Sequence, residues 1–157
     1  VLYWGDIRGI PVNKGAVFEC RLKTSVMPTS GTTAVWGMCG DHNLDKDTVA
    51  VSAWFRLDGS AALDVETDDT TNNNDDKSTG ITLTTSAFHL YQIDFTTLSD
   101  VKFYVDGVRV ASSVTFDMSN LTSAEAQFQP YFSLDKGSGT SVGTLLVDYV
   151  RIWAKRA

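Results

Sequence analysis

The sequence predicts an all-β domain, built as a two-sheet antiparallel β-sandwich. Two features predict this fold class. Apolar and polar residues alternate in about ten short segments, and the spacing typical of an amphipathic helix is nearly absent. The chain has 157 residues, of which 43% are hydrophobic and 20% are charged, a composition typical of a globular protein with one hydrophobic core. We therefore expect a single domain over residues 1–157.

The two clearest strand patterns lie in residues 16–23 and 49–57. In the first, Phe18 belongs to an apolar face and the charged residues occupy the other face. In the second, an apolar face with Phe55 lies opposite a face that carries Trp54. Each pattern is typical of a strand with a buried face. Further strands are predicted at residues 33–39, 61–66, 80–84, 89–95, 101–105, 108–111, 127–133 and 144–153.

Between the strands, several segments have the chemistry of turns or loops. The pair Asp106-Gly107 separates two alternating runs and predicts a two-residue type I′ hairpin, because that turn needs positive φ. Residues 67–77 are polar throughout and predict a loop, while residues 135–141 predict a flexible connection rich in glycine and serine. The one helical piece that we expect is a turn or two over residues 118–126.

Charge and composition argue against two classes of partner. The formal net charge is −6 and the 13 basic residues are scattered singly, whereas nucleic-acid binding needs clustered lysine and arginine. No run approaches the roughly 20 apolar residues that span a bilayer, so we predict no membrane insertion.

Cys20 and Cys39 allow one disulfide or two reduced thiols. The thiols are favoured, because small domains that depend on disulfides usually contain more cysteines.

The second half of the chain carries a family resemblance. Residues 145–153, Leu-Leu-Val-Asp-Tyr-Val-Arg-Ile-Trp, resemble the closing strand of concanavalin A-like glucanases and laminin-G-like domains. Residues 88–95 and 101–110 are similar to paired strands of these domains, which read Trp-His-x-Tyr-x-Ile and then Phe-Tyr-Val-Asp-Gly. The resemblance implies a concanavalin A-like jelly roll, a fold that lectins, hydrolases and structural modules share.

Four other segments, residues 3–6, 35–37, 43–47 and 129–133, resemble laminin-G-like domains of tailed-phage virion proteins. This resemblance implies a non-catalytic module that decorates a viral particle, with a capsid or tail protein as partner and the virion surface as location. Affinity for a surface glycan and assembly into a homo-oligomer are compatible with that role. The alternative is a carbohydrate-binding, lectin-like module of a larger protein, secreted or on a cell surface.

A glycoside hydrolase is the third hypothesis. Hydrolases of the resembled group carry Glu-x-Asp-x-Glu on a strand that lines the cleft, and the nearest match is residues 64–68, Asp-Val-Glu-Thr-Asp. Alternation places Asp64, Glu66 and Asp68 on one face about 6.6 Å apart, near the separation that retaining enzymes need. However, the acids are inverted relative to the family and lead into the predicted loop. The sequence thus favours a solvated strand edge over catalysis by Asp64 and Glu66, and we predict no enzymatic activity.

Calcium is the cofactor that the resemblance suggests, since relatives of this kind often bind it through clustered oxygen ligands. Two acidic segments supply such oxygens. One contains Asp41, Asn43, Asp45 and Asp47, and the other contains Asp68 and Asp69 followed by Asn72, Asn74, Asp75 and Asp76. The alternative for each segment is a solvated loop without a metal ion.

Aromatic side chains are the candidates for glycan binding, because sugar rings stack on exposed aromatic rings. Trp54 is the first candidate, since it projects from the strand face opposite Phe55. Tyr104 and Tyr131 lie in segments with similar alternation. The alternative places these rings in the core or at a subunit interface.

Overall fold

The computed structural model describes residues 1–139 and 143–154, and within these ranges the chain forms twelve strands and no α-helix. The strands are β1 (Leu2–Tyr3), β2 (Ile10–Pro11), β3 (Val17–Val26), β4 (Thr32–Cys39), β5 (Val51–Asp58), β6 (Ala62–Asp69), β7 (Asn73–Thr82), β8 (His89–Asp94), β9 (Lys102–Val105), β10 (Val108–Val110), β11 (Gln127–Lys136) and β12 (Thr144–Trp153). Three short 3₁₀ turns occupy Val12–Lys14, Lys46–Thr48 and Leu98–Asp100. The predicted all-β class is confirmed.

The strands form two antiparallel sheets that pack face to face. The front sheet has the order β1-β11-β4-β5-β6-β7, and β2 also pairs with β11. The back sheet has the order β10-β9-β8-β3-β12. Because β11 inserts between β1 and β4, and β3 between β8 and β12, strands distant in sequence become neighbours, as in a jelly roll. The predicted concanavalin A-like jelly-roll sandwich is the fold observed.

Inward-facing aromatic residues of both sheets fill the core, as the period-two pattern requires. On the front sheet, Trp36 and Phe55 stack with ring centroids 6.0 Å apart, and Tyr91 of the back sheet lies 5.0 Å from each of them. Phe103 packs edge-on against Phe55 at 5.4 Å. All four side chains are fully buried, and the burial of a phenylalanine such as Phe55 or Phe103 stabilises the fold by about 1.5–3 kcal/mol.

The predicted hairpin at Asp106-Gly107 is confirmed, because these two residues connect the paired strands β9 and β10. Both have positive φ, 50° at Asp106 and 79° at Gly107, as a type I′ turn requires. The Asp106 carboxylate also accepts a hydrogen bond from the backbone amide of Leu90 at 2.8 Å. This contact fixes the turn against β8.

The predicted loop over residues 67–77 is wrong, because most of these residues form the β6–β7 hairpin. The buried Asp69 organises its turn. Its Oδ1 accepts hydrogen bonds from the backbone amides of Thr71 at 3.0 Å and Asn72 at 2.6 Å. A polar strand is stable here because β7 lies at the edge of the front sheet, where neither face needs to be apolar.

Two hydrogen-bonded turns form within residues 118–126, as predicted, although no helix does: the amide of Leu121 donates to the carbonyl of Met118 at 3.3 Å, and that of Ala126 to the carbonyl of Thr122 at 2.9 Å. The backbone amide of Met118 donates to the carbonyl of Leu98 at 2.7 Å, and the Met118 side chain is buried in the core. The predicted connection over residues 135–141 starts later than expected because β11 extends to Lys136, and residues 140 and 141 lie outside the described residues. No helix in the described part of the chain is long and apolar enough to cross a membrane.

Cys20 and Cys39 are both buried and are not joined to each other. Cys20 lies in the main core, whereas Cys39 belongs to a separate apolar cluster on the outer side of the front sheet. Burial raises the pKa of the Cys20 thiol well above its usual range, so this thiol is a poor nucleophile at neutral pH.

Candidate functional site

The outer face of the front sheet, which points away from the core, is divided into a covered half and an open half. Its covered half carries the separate apolar cluster, formed by Val35, Cys39, Val49, Trp54 and Tyr131 with Tyr3 beside them. Residues 40–50, which connect β4 to β5, lie over this cluster, and the Lys46 Nζ atom is 5.4 Å from the centre of the Tyr131 ring. The open half, formed by β5, β6 and β7, is the candidate site.

Lys46 fixes the covering segment in place. Its side chain is only 4% exposed and pairs with the Asp135 carboxylate of β11 at 2.9 Å. The Nζ atom also donates to the carbonyl oxygens of Asn43 at 2.8 Å and Leu44 at 2.7 Å. The three N–H donors of the buried Lys46 ammonium therefore each have an acceptor. Because two of these acceptors lie in residues 40–50 and the third lies on β11, Lys46 holds this segment in place over the sheet.

The open half carries a row of three acidic side chains on β6, which we call the acidic row: Asp64, Glu66 and Asp68. Their partners across β5 are Arg56, Trp54 and Ser52, respectively. The prediction that the three acids share one face is confirmed by this register. The interpretation of the row as a solvated strand edge is wrong for Glu66, which is 4% exposed, because β7 continues the sheet beyond β6.

Glu66 is the most constrained member of the acidic row. Its Oε2 accepts a hydrogen bond from the Trp54 indole Nε1 at 2.6 Å, and its Oε1 accepts one from the Arg56 guanidinium at 2.9 Å. Burial raises the pKa of Glu66 to about 7, although the hydrogen bond from Trp54 and the charge of Arg56 both lower it. Burial thus shifts the pKa of Glu66 toward the range in which a general acid or base works.

Arg56 is the positive centre of the site. Besides Glu66, its guanidinium pairs with Asp47 at 2.5 Å, Asp58 at 3.8 Å and Asp76 at 3.9 Å. Its buried Nε–H has no hydrogen-bond acceptor among the described residues. The sequence did not predict Arg56 as a site residue, although its position two residues after Trp54 places it on the same strand face.

The other two members of the acidic row are half-buried beside further acids. Burial and the nearby Asp76 carboxylate raise the pKa of Asp64. Burial and the neighbouring Asp75 raise the pKa of Asp68. Three raised carboxyl pKa values on one strand face mark a functional-site candidate. A pocket of about 300 Å³ opens on the other side of Arg56, and none of its lining residues belongs to the acidic row, β6 or β7. It is lined by Gly31, Thr33, Leu44, Asp45, Lys46, Asp47, Arg56, Asp135 and Gly137.

The three aromatic residues predicted to bind glycans do not form one surface. Trp54 is 1% exposed and Tyr131 is fully buried, because residues 40–50 cover both rings. Neither ring has a face open to a sugar in this structure, which corrects the assumption that they are exposed. Tyr104 is half-buried on β9 of the back sheet, and the structure does not bring it together with the other two.

The predicted calcium ligands are engaged in other contacts. Asp41 pairs with Arg8 at 3.1 Å, Asp45 caps the 3₁₀ turn Lys46–Thr48, and Asp47 pairs with Arg56. Asp68 accepts from the Thr70 amide at 2.7 Å, and Asp69 binds its own turn. Among the described residues, no three histidine, cysteine or acidic side chains lie close enough to hold a metal ion together. Neither segment thus presents a preformed group of three acidic ligands among the described residues, and calcium binding stays a prediction.

Comparison with known proteins identifies shared folds. No family model and no curated protein sequence matches the chain. A β-glucanase from Bacillus licheniformis shares 14% identity and a TM-score of 0.61, covering 99% of this chain and 69% of its own. An alginate lyase from Pseudomonas aeruginosa shares 13% identity and a TM-score of 0.58, with coverage of 94% and 68%. A galectin from Caenorhabditis elegans shares 10% identity and a TM-score of 0.52, with coverage of 97% and 88%.

These likenesses contradict two predictions made from the sequence. A non-catalytic module of a phage particle is not supported, because the fold matches are glucanases, alginate lyases and a galectin. The prediction that the chain is not an enzyme is contradicted as well, since most of these structures are enzymes. The chain spans 60% to 69% of the length of the matched glucanase and lyase structures.

Proposed function

We propose that this chain is a carbohydrate-active protein that binds a neutral polysaccharide across the outer face of β5, β6 and β7. The observation that carries the proposal is the arrangement around Arg56, where one guanidinium lies among the carboxylates of Asp47, Glu66 and Asp76 beside a pocket of about 300 Å³. That volume is at the lower end of the range for small-molecule pockets. Sugar-binding and sugar-cleaving proteins of the same fold support this proposal.

The groups around Arg56 are suited to sugar hydroxyls, which donate and accept hydrogen bonds at the same time. The carboxylates of Asp47 and Asp64 accept, and the guanidinium donates. The Arg56 Nε–H lies 3.9 Å from Asp76, too far for a hydrogen bond. Because the Nε–H is buried and Asp76 is exposed, a sugar hydroxyl that reached this position as the Asp76 side chain moved would accept from Nε–H and donate to Asp76. An unsatisfied buried donor costs about 1–3 kcal/mol, which such a ligand would recover.

The charge of the open half favours a neutral polysaccharide over an acidic one. Arg56 is its main positive group, whereas Asp47, Asp58, Asp64, Glu66, Asp68, Asp75 and Asp76 lie on or beside it. The negative potential of these carboxylates would repel a polyanion such as alginate. A neutral glucan has no such penalty.

Binding can be tested by isothermal titration with soluble mixed-linkage β-glucan and with alginate. We expect the wild type to bind the glucan and not alginate, and Asp64→Asn to weaken glucan binding at least tenfold, because a carboxylate acceptor is lost while shape is kept. Asp94→Asn, on β8 of the back sheet, is the matched control and is expected to bind as the wild type does. Equal binding by Asp64→Asn and wild type, or no binding to any neutral polysaccharide, contradicts the proposal.

Cleavage of the glycosidic bond is a second candidate function, favoured by the pKa of about 7 at Glu66. In a retaining reaction, the Asp64 carboxylate attacks the anomeric carbon while Glu66 gives its proton to the departing oxygen. Water then releases the sugar from Asp64, and Glu66 takes the proton back. Glu66 is 4% exposed, so substrate can reach it only if side chains around it move.

Hydrolysis can be tested by the release of reducing ends from mixed-linkage β-glucan between pH 5 and pH 9. We expect the rate to fall above pH 7 as Glu66 loses its proton, and Glu66→Gln to lower it by about 10²–10⁴-fold, the usual contribution of a general acid. Circular dichroism of Glu66→Gln controls for folding. Absence of product at high wild-type concentration excludes hydrolysis and leaves the binding proposal intact.

A further inference from the structure

The closing strand β12 has an unusual edge. It contains ten residues at the end of the back sheet, and among the described residues its one strand partner is β3. Its apolar side chains are exposed on both faces, at 36% to 44% each: Leu146, Val147, Tyr149, Val150 and Trp153. The free edge therefore combines unpaired backbone groups with apolar surface, a combination that favours pairing with another strand.

The other edge strands of the sandwich lack this combination. The opposite edge of the back sheet, β10, has only three residues. The edge strand β7 of the front sheet is as long as β12 but polar, and β1 and β2 have two residues each. Short length and polar side chains protect edges against association. β12 contains neither proline nor lysine, and a single bulge at Val147/Tyr149 is its main irregularity in the middle of the strand.

An apolar groove continues the exposed surface of β12. It has a volume of about 390 Å³ and lies where β12 faces the short strands β1 and β2 of the other sheet. Its lining includes Leu2, Trp4, Ile10, Phe132, Val150 and Ile152. Together, β12 and residues 1–10 offer about twenty residues, at the lower limit of one side of a standard protein interface.

We propose that β12 pairs antiparallel with β12 of a second copy of this chain, so that the two back sheets form one continuous sheet. The charges of the strand support a second copy as the partner. In an antiparallel pair centred on Val150, Tyr149 of each copy lies opposite Arg151 of the other. The bulge at Val147/Tyr149 places Asp148 beside Tyr149 on the outer face, so Asp148 also lies close to that Arg151. Val150 then lies against Val150 of the other copy, and the pairing is closed by a two-fold axis. This proposal is independent of the carbohydrate-binding proposal.

Both charges are already held on the outer face of the back sheet. Asp148 pairs with Arg21 at 2.5 Å, and Arg151 pairs with Glu19 at 2.6 Å. The Arg151 guanidinium also lies between the rings of Tyr149 and Trp153, at 5.7 Å and 5.3 Å from their centres. Packing by these rings and internal pairing limit the freedom of both charges, so little side-chain entropy remains to be lost on association.

Sedimentation velocity of the whole chain over a range of concentrations tests the proposal. We expect a dimer for the wild type and at least tenfold weaker association for Val150→Lys, which places a charge at the edge. The matched control is Val108→Lys on β10, at the opposite edge of the same sheet, where Val108 is 67% exposed. This control is expected to remain dimeric.

A covalent test locates the contact and does not depend on how well a lysine variant folds. In the proposed register, the two copies of residue 150 lie within the roughly 7 Å Cα separation that a disulfide can bridge. Mild oxidation should therefore convert Val150→Cys into a covalent dimer and leave Val108→Cys monomeric on a denaturing gel. A wild type that is monomeric at every concentration, or equal cross-linking of the two cysteine variants, would overturn the proposal.

Discussion

Replacing Trp54 with alanine is expected to lower the free energy of unfolding by about 3–5 kcal/mol, the usual cost of deleting a buried tryptophan. The indole is 1% exposed, packs 5.9 Å from the ring of Tyr131 and donates its N–H to Glu66. The substitution leaves a cavity beneath residues 40–50 and removes a hydrogen-bond donor from a buried carboxylate. Urea denaturation followed by circular dichroism measures the loss directly.

Two controls separate packing from hydrogen bonding. Trp54→Phe keeps most of the apolar volume but loses the indole N–H, so we expect a smaller loss than for Trp54→Ala. Tyr104→Ala removes a half-buried ring from the back sheet, and we expect it to cost less than Trp54→Ala. If Trp54→Ala is as stable as the wild type but no longer binds glycan, the indole is exposed in solution and the covered half of the front sheet is open.

The fold could be predicted from the sequence because every second side chain of most strands points into the core, which produces the period-two pattern. The closing strand, predicted at residues 144–153, is observed as Thr144–Trp153. The hairpin at Asp106-Gly107 forms for the local reason that predicts it, since positive φ is needed at both positions. These features depend on neighbouring residues alone, and a single sequence contains that information.

Other features depend on contacts between distant residues. Alternation shows that Trp54 and Phe55 face opposite ways, but it does not show what covers each face. Trp54 is covered by residues 40–50, a polar segment that the ion pair between Lys46 and Asp135 of β11 holds in place. The strand β7 also could not be predicted from the sequence, because its run of Asn, Asp and Thr has the composition of a loop. It becomes a strand only through pairing with β6.

The candidate site could be predicted in part. The acidic row follows from the spacing of Asp64, Glu66 and Asp68, which alternation alone places on one face. The ring of acids around Arg56 does not follow from spacing, since Asp47 reaches it from the connection between β4 and β5, and Asp76 from β7. The pKa of Glu66 depends on that ring and on burial, so the sequence could not distinguish a titrating carboxyl from a solvated one.

The segments that resemble virion proteins serve the packing of the sandwich. Trp36 is a core residue and Tyr131 is buried under residues 40–50. At Gly37, an added Cβ would lie 2.4 Å from the backbone oxygen of Ala53 on the neighbouring strand, so a small residue is needed there. Because packing within this fold accounts for these residues, they carry no information about a viral location.

The stability of the protein is expected to depend on pH through Glu66. The folded-state pKa is about 7, above the ordinary value of 4.5, so between these two pH values the folded state binds more protons than the unfolded state. Stability therefore decreases as pH rises through this interval, by up to about 3 kcal/mol from this residue. Below pH 4.5 the carboxyl is protonated in both states, and above pH 7 the decrease is complete.

The measurement is urea denaturation of the wild type and Glu66→Gln at pH 5 and pH 8. Glutamine keeps the shape of the side chain and does not titrate, so the difference between the two proteins isolates the contribution of Glu66 from that of the other acids. We expect the wild type to lose about 3 kcal/mol more than Glu66→Gln on going from pH 5 to pH 8. The same dependence in both proteins means that the ion pair with Arg56 outweighs burial and that Glu66 is ionised throughout. In that case Glu66 has no proton to donate near neutral pH, and hydrolysis by the proposed route is excluded, whereas the binding of polysaccharide hydroxyls by the acidic row is unaffected.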